Sequence, residues 1–76
     1  MIVDDDSDVL RSVLRVLQAG GFQAEGTTDP VVARDRFISD PEAVDLLVTD
    51  VIIPAMSGAV LVDLLLPYRP DLRVVY

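Results

Sequence analysis

The run Val44-Asp45-Leu46-Leu47-Val48-Thr49 is nearly all apolar, has the length of a strand, and ends on Asp50 before the chain turns through Pro54 and Gly58. A strand that faces water on one side alternates polar and apolar residues. An almost continuous apolar run is the pattern of a central parallel strand buried on both faces. The run therefore predicts the centre of a parallel sheet, with the Asp50 carboxylate displayed at the strand's tip. A second apolar segment, Met1-Ile2-Val3, gives way to Asp4-Asp5-Asp6 in the same manner. If these strands are parallel neighbours, their acidic tips meet at the carboxyl edge of one sheet, where open α/β folds place their sites.

The segments between these runs alternate as that sheet requires. Ser7 offers an N-cap hydroxyl and Asp8 suits the positive end of a helix. Val9, Leu10, Val13, Leu14, Val16 and Leu17 then recur at helical spacing until Gly20-Gly21 ends the helix. Phe22–Ala24 reads as a second short strand. Gly26-Thr27-Thr28-Asp29-Pro30 reads as a loop closing on an N-cap Asp and an N1 proline. A second helix over 30–38 turns Val32, Ala33 and Phe37 inward and Arg34, Asp35 and Arg36 toward water. Ser39-Asp40-Pro41 breaks the chain ahead of the central strand. Ser57 caps a third helix over 58–66, with Val60, Leu61, Leu64 and Leu65 at helical spacing up to Pro67. After the turn Arg69-Pro70-Asp71, residues 72–76 begin a fourth strand. Arg69 and Arg73 read as surface charges. The order βαβαβαβ predicts an α/β fold with a parallel sheet and right-handed crossovers.

Composition narrows the chemistry. With no cysteine and no histidine, disulfides, thiolate sites and the usual zinc sites are excluded, leaving oxygen ligands only. Thirteen acidic groups against six arginines and no lysine give a net charge of −7, which repels phosphate backbones and argues against direct nucleic-acid binding. No apolar run approaches the roughly 20 residues that span a bilayer, and no basic segment precedes an apolar stretch at the start. The expectation is a cytoplasmic chain without membrane contact. Apolar residues make up 51% of 76, which is high for a free-standing domain this small and implies that something covers part of the surface.

Asp4, Asp5 and Asp50 are the candidates for one site. Carboxylates brought together raise each other's proton affinity unless a cation compensates. Mg²⁺ accepts octahedral oxygen coordination while keeping several waters, so these carboxylates with the backbone carbonyl of Ile52 would suffice. One oxygen of Asp50 is then free to act as a nucleophile toward a phosphoryl group. Taken alone, a strand-end Asp is as readily a turn former or cap, and Asp6 and Asp8 read as capping or solvated residues. Asp4-x-Asp6-x-Asp8 resembles the start of a calcium loop, but Val9 stands where that loop needs Gly and Arg15 where it needs Glu.

Val3-Asp4-Asp5-Asp6 before a helix, together with Leu47-Val48-Thr49-Asp50-Val51-Ile52-Ile53-Pro54-Ala55-Met56-Ser57-Gly58, resembles the receiver domains of two-component response regulators. The resemblance covers the whole chain. It implies a flavodoxin-like receiver fold over residues 1–76, partial in that the last helix, strand and helix of the family are missing. It further implies that Asp50 accepts phosphate from a sensor histidine kinase or phosphotransfer domain, and that Asp4, Asp5, Asp50 and the Ile52 carbonyl hold Mg²⁺. The wording around Asp50 looks more like receivers fused to hybrid sensor kinases than those carrying DNA-binding domains. Family members also carry a Ser or Thr ending the fourth strand and a Lys ending a fifth; neither stands in this sequence. A bare fourth strand and missing helices lead to the expectation of a homodimer or swapped oligomer. Two other readings stand beside the phosphoacceptor. One is a degenerate receiver serving only as an interaction module. The other is a metal-dependent phosphohydrolase, disfavoured because Ile52 occupies the position where such enzymes carry a second Asp.

Overall fold

The computed structural model describes residues 1–76. Four strands, β1 (Ile2–Val3), β2 (Gly26–Thr27), β3 (Leu46–Thr49) and β4 (Arg73–Val75), form one sheet in the order β2-β1-β3-β4. All pairings are parallel. The helices α1 (Ser7–Ala19), α2 (Pro30–Ser39) and α3 (Gly58–Leu65) connect them, with a short 3₁₀ turn at Pro41–Ala43. The step from β1 to β2 runs one way across the sheet and the steps to β3 and β4 run the other. Right-handed crossovers therefore put α1 on one face and α2 with α3 on the opposite face. The chain is thus an α/β protein with the receiver-type parallel sheet expected from its sequence.

The core lies under α2 and α3. Val3, Ala33, Phe37, Val44, Leu47, Ile53, Leu61, Val62, Leu65 and Leu72 form one buried cluster. In α2 the buried residues are Pro30, Ala33 and Phe37, while Val32 is exposed. At 100° per residue Val32 falls opposite the stripe that the other three share, which corrects its inward assignment. In α3, Leu61, Val62 and Leu65 are buried, whereas Val60 and Leu64 face water.

The central strand is not covered on both faces. Leu47 and Thr49, turned to α2 and α3, are 0% and 2% exposed, but Leu46 on the alternate face is 39% exposed. Only α1 serves that face, and of its apolar stripe only Leu10 is buried, with Val16 exposed. The open half of the face is a groove of about 720 Å³ whose apolar lining includes Leu17, Phe22, Leu46 and Val48.

Three local assignments change. The helix α1 is capped by Asp6, whose carboxylate accepts from the Asp8 and Val9 amides, and Ser7 is its first residue. The second strand is Gly26–Thr27, not Phe22–Ala24. Pairing sets this: Ile2 N–H donates to Glu25 O (2.9 Å) and Asp4 N–H to Thr27 O (3.3 Å). A Cβ at Gly26 would stand 2.5 Å from Leu10 Cδ1 and 3.0 Å from Ile2 O, so glycine lets Leu10 of α1 rest on the strand without shifting. Arg69 is no surface charge. Its side chain is 14% exposed, and its guanidinium donates to Val44 O, to Pro41 O (3.4 Å) and to the Asp45 and Asp71 carboxylates (3.4 Å each). It clamps the start of β3 to the turn before β4. Arg73 is exposed, as expected.

Candidate functional site

Parallel register brings the two acidic strand ends together. Val3 pairs with Thr49, so the next residues of β1 and β3 are Asp4 and Asp50. The Asp50 amide donates to Val3 O (3.0 Å), which carries the ladder up to the acceptor candidate itself. The chain leaves β1 by an Asx turn in which Asp4 Oδ1 accepts from the Asp6 amide at 2.9 Å. That turn presents Asp5 beside Asp4 and hands Asp6 to the helix as its cap. Carboxylate oxygens of Asp4, Asp5 and Asp50 all lie within 4.8 Å of one another, with Asp4 half-buried and the other two exposed.

No cation of the chain compensates this cluster. Four of the six arginines pair elsewhere, Arg11 with Asp8, Arg34 with Asp35, Arg36 with Glu25, and Arg69 with Asp45 and Asp71, while Arg15 and Arg73 form no ion pair. Two like charges at this separation repel by about 1 kcal/mol even in bulk water. Three carboxylates with all-oxygen chemistry and open solvent access fit a hard divalent ion that keeps part of its water shell. Asp8 lies outside the cluster and serves the first turn of α1. Ile52 is exposed on the loop two residues beyond Asp50.

The loop after Asp50 is pinned at several points. Ile53, 5% exposed, is anchored in the core cluster. Ser57 Oγ accepts from the Val60 amide (3.2 Å) as the cap of α3, as the sequence predicts. The Gly58 amide donates to Val51 O (2.9 Å). A Cβ on Gly58 would lie 2.2 Å from Asp50 O and 3.2 Å from Thr49 Cγ2. The first residue of α3 thus presses directly on the backbone of the acceptor candidate. Thr49 is the one buried polar side chain, and its hydroxyl donates to Asp50 O at 3.0 Å. Sequence reasoning passed over Thr49. The signal was a lone hydroxyl inside an otherwise apolar strand.

A parallel sheet with an acidic cluster at its carboxyl edge, fed by the first and third strands, is the arrangement of a receiver-type α/β domain. The family model for the response regulator receiver domain matches residues 1–76, and the chain belongs to that family, whose members act in two-component phosphorelay signalling. Among curated proteins it is similar to the response regulator receiver protein CpdR of Brucella abortus (strain 2308), 26% identical over 76 residues. It is also similar to the DNA-binding transcriptional regulator NtrC of Azospirillum brasilense, 32% identical over 75 residues. These matches take in 100% and 99% of this chain, but 62% and 15% of the respective relatives. Neither relative is described as a sensor kinase. No helix is long and apolar enough to cross a membrane.

Proposed function

We propose that the chain is a Mg²⁺-dependent phosphoacceptor that takes a phosphoryl group onto Asp50 from the phosphohistidine of a sensor histidine kinase or phosphotransfer domain. The observation that carries this reading is the convergence of Asp4, Asp5 and Asp50 at the sheet edge of a chain of the receiver family. Asp4, Asp5, Asp50 and the Ile52 carbonyl would hold the metal ion. When bound, Mg²⁺ neutralises the carboxylate cluster and the charge on the phosphoryl oxygens. An Asp50 oxygen attacks phosphorus as the bond to the donor imidazole nitrogen breaks. The electron pair leaves with that nitrogen, which takes a proton from solvent, and Asp50 is left as a mixed anhydride. Exposure of Asp50 suits a macromolecular donor. The domain is an acceptor rather than an enzyme, and a cytoplasmic location agrees with such a donor.

A second reading is an interaction module without phosphotransfer. It is favoured by the half-open sheet face, where Phe22 is 66% and Val75 50% exposed. Intact-mass spectrometry separates the two. With acetyl phosphate and Mg²⁺ the chain gains one phosphoryl group, and Asp50→Asn gains none while keeping its far-UV circular dichroism. No increment on the parent chain, or undiminished labelling of Asp50→Asn, overturns Asp50 as the acceptor.

A further inference from the structure

Thr49 sits in β3 with its side chain 2% exposed, and no other polar side chain is buried. Valine has the same shape and stronger apolar burial, so packing alone gives no reason for a hydroxyl there. A buried hydroxyl requires a partner, and this one donates to the carbonyl oxygen of Asp50 at 3.0 Å. The same oxygen is confronted by Gly58, where a Cβ would come within 2.2 Å. Beyond it, the Val51 carbonyl accepts from the Gly58 amide at 2.9 Å. The Asp50–Val51 peptide is therefore held between a hydroxyl on β3 and the first turn of α3. Its orientation fixes both the Asp50 carboxylate and the start of the loop that leads to Ile52.

We infer that Thr49 is a positioning residue for phosphoryl acceptance, its hydroxyl locking the Asp50–Val51 peptide against the N-terminus of α3. The inference rests on the reading of Asp50 as the acceptor. Without the hydroxyl the peptide rocks, the contact between Val51 and Gly58 opens more often, and the carboxylate spends less time in line with the donor.

The test uses Thr49→Val, which removes the hydroxyl at constant shape, and Thr49→Ser, which keeps the hydroxyl and removes a core methyl. Two quantities are measured on the full chain: the rate of phosphoryl incorporation from acetyl phosphate with Mg²⁺, and NMR amide exchange at Gly58 without metal. Thr49→Val is expected to slow incorporation and speed Gly58 exchange by about five-fold each, the factor that corresponds to one net hydrogen bond. Thr49→Ser is expected to match the parent in both, despite a lower Tm. A purely structural role gives the reverse order, with Ser the more damaging variant because it loses buried volume. That order, or parent-like exchange and labelling in Thr49→Val, overturns the inference and leaves the Asp50 acceptor intact. If the parent chain takes no label at all, the acceptor reading fails on its own, and Gly58 exchange still decides whether Thr49 holds the peptide.

Discussion

Replacing Gly58 by alanine probes the contact between α3 and the acceptor strand. The backbone at Gly58 does not have a positive φ, since Gly21 alone does, so alanine brings no conformational penalty. The penalty is steric. The new methyl would lie 2.2 Å from Asp50 O, 3.1 Å from Asp50 C and 3.2 Å from Thr49 Cγ2. Ordinary contact requires a retreat of about 1 Å, and the obstacles are backbone and core rather than a flexible side-chain end. Either α3 lifts from the sheet, straining Leu61, Val62 and Leu65, or the Asp50 peptide turns away and loses the Thr49 and Gly58 hydrogen bonds. Overpacking of this kind costs about 1–3 kcal/mol, offset by at most about 1 kcal/mol of better helix propensity. The 2.2 Å approach to backbone places the cost at the upper end of that range, and the net loss of about 2 kcal/mol is large against a total on the order of 4–11 kcal/mol for a chain of this size. It lowers Tm by about 10 °C. Thermal unfolding followed at 222 nm, with the acetyl phosphate labelling rate measured well below the transition, checks both consequences. Labelling should fall even where the variant is fully folded, because the displaced peptide carries the acceptor. A Gly58→Ala protein with parental Tm and parental labelling refutes the argument that this glycine is required by the close approach.

Other expectations follow from the same geometry. Arg69→Met keeps much of the buried stem but abandons the Val44 and Pro41 carbonyls, so stability should drop by about 1–3 kcal/mol with labelling of Asp50 retained. Asp45 and Asp71 are mostly exposed partners of Arg69, at 92% and 81%, so their ion pairs contribute little. The loss on Arg69→Met should therefore persist in high salt, and a loss abolished by salt would contradict the carbonyl clamp. The apolar face left open beside α1 should make the 76-residue chain self-associate. Sedimentation velocity showing a compact monomer across a wide concentration range would count against that expectation.

The sequence by itself determined the alternation of strands and helices, because apolar periodicity, Asp29-Pro30, Ser57 and Gly20-Gly21 each act locally. It also determined that two strands end on carboxylates, and hence that Asp4, Asp5 and Asp50 could share one edge. Only the tertiary structure decided the rest. The second strand moved to Gly26–Thr27 because pairing with β1 sets that position, with Leu10 resting against Gly26, and neither contact is visible within the segment. Arg69 became a clamp because its carbonyl partners lie 25 and 28 residues away in sequence. The lock on Asp50 joins Thr49 on a strand to Gly58 on a helix, and its meaning lies in a missing methyl group. Local signals report what a residue favours; long-range contact decides what it touches, and the site is made of such contacts.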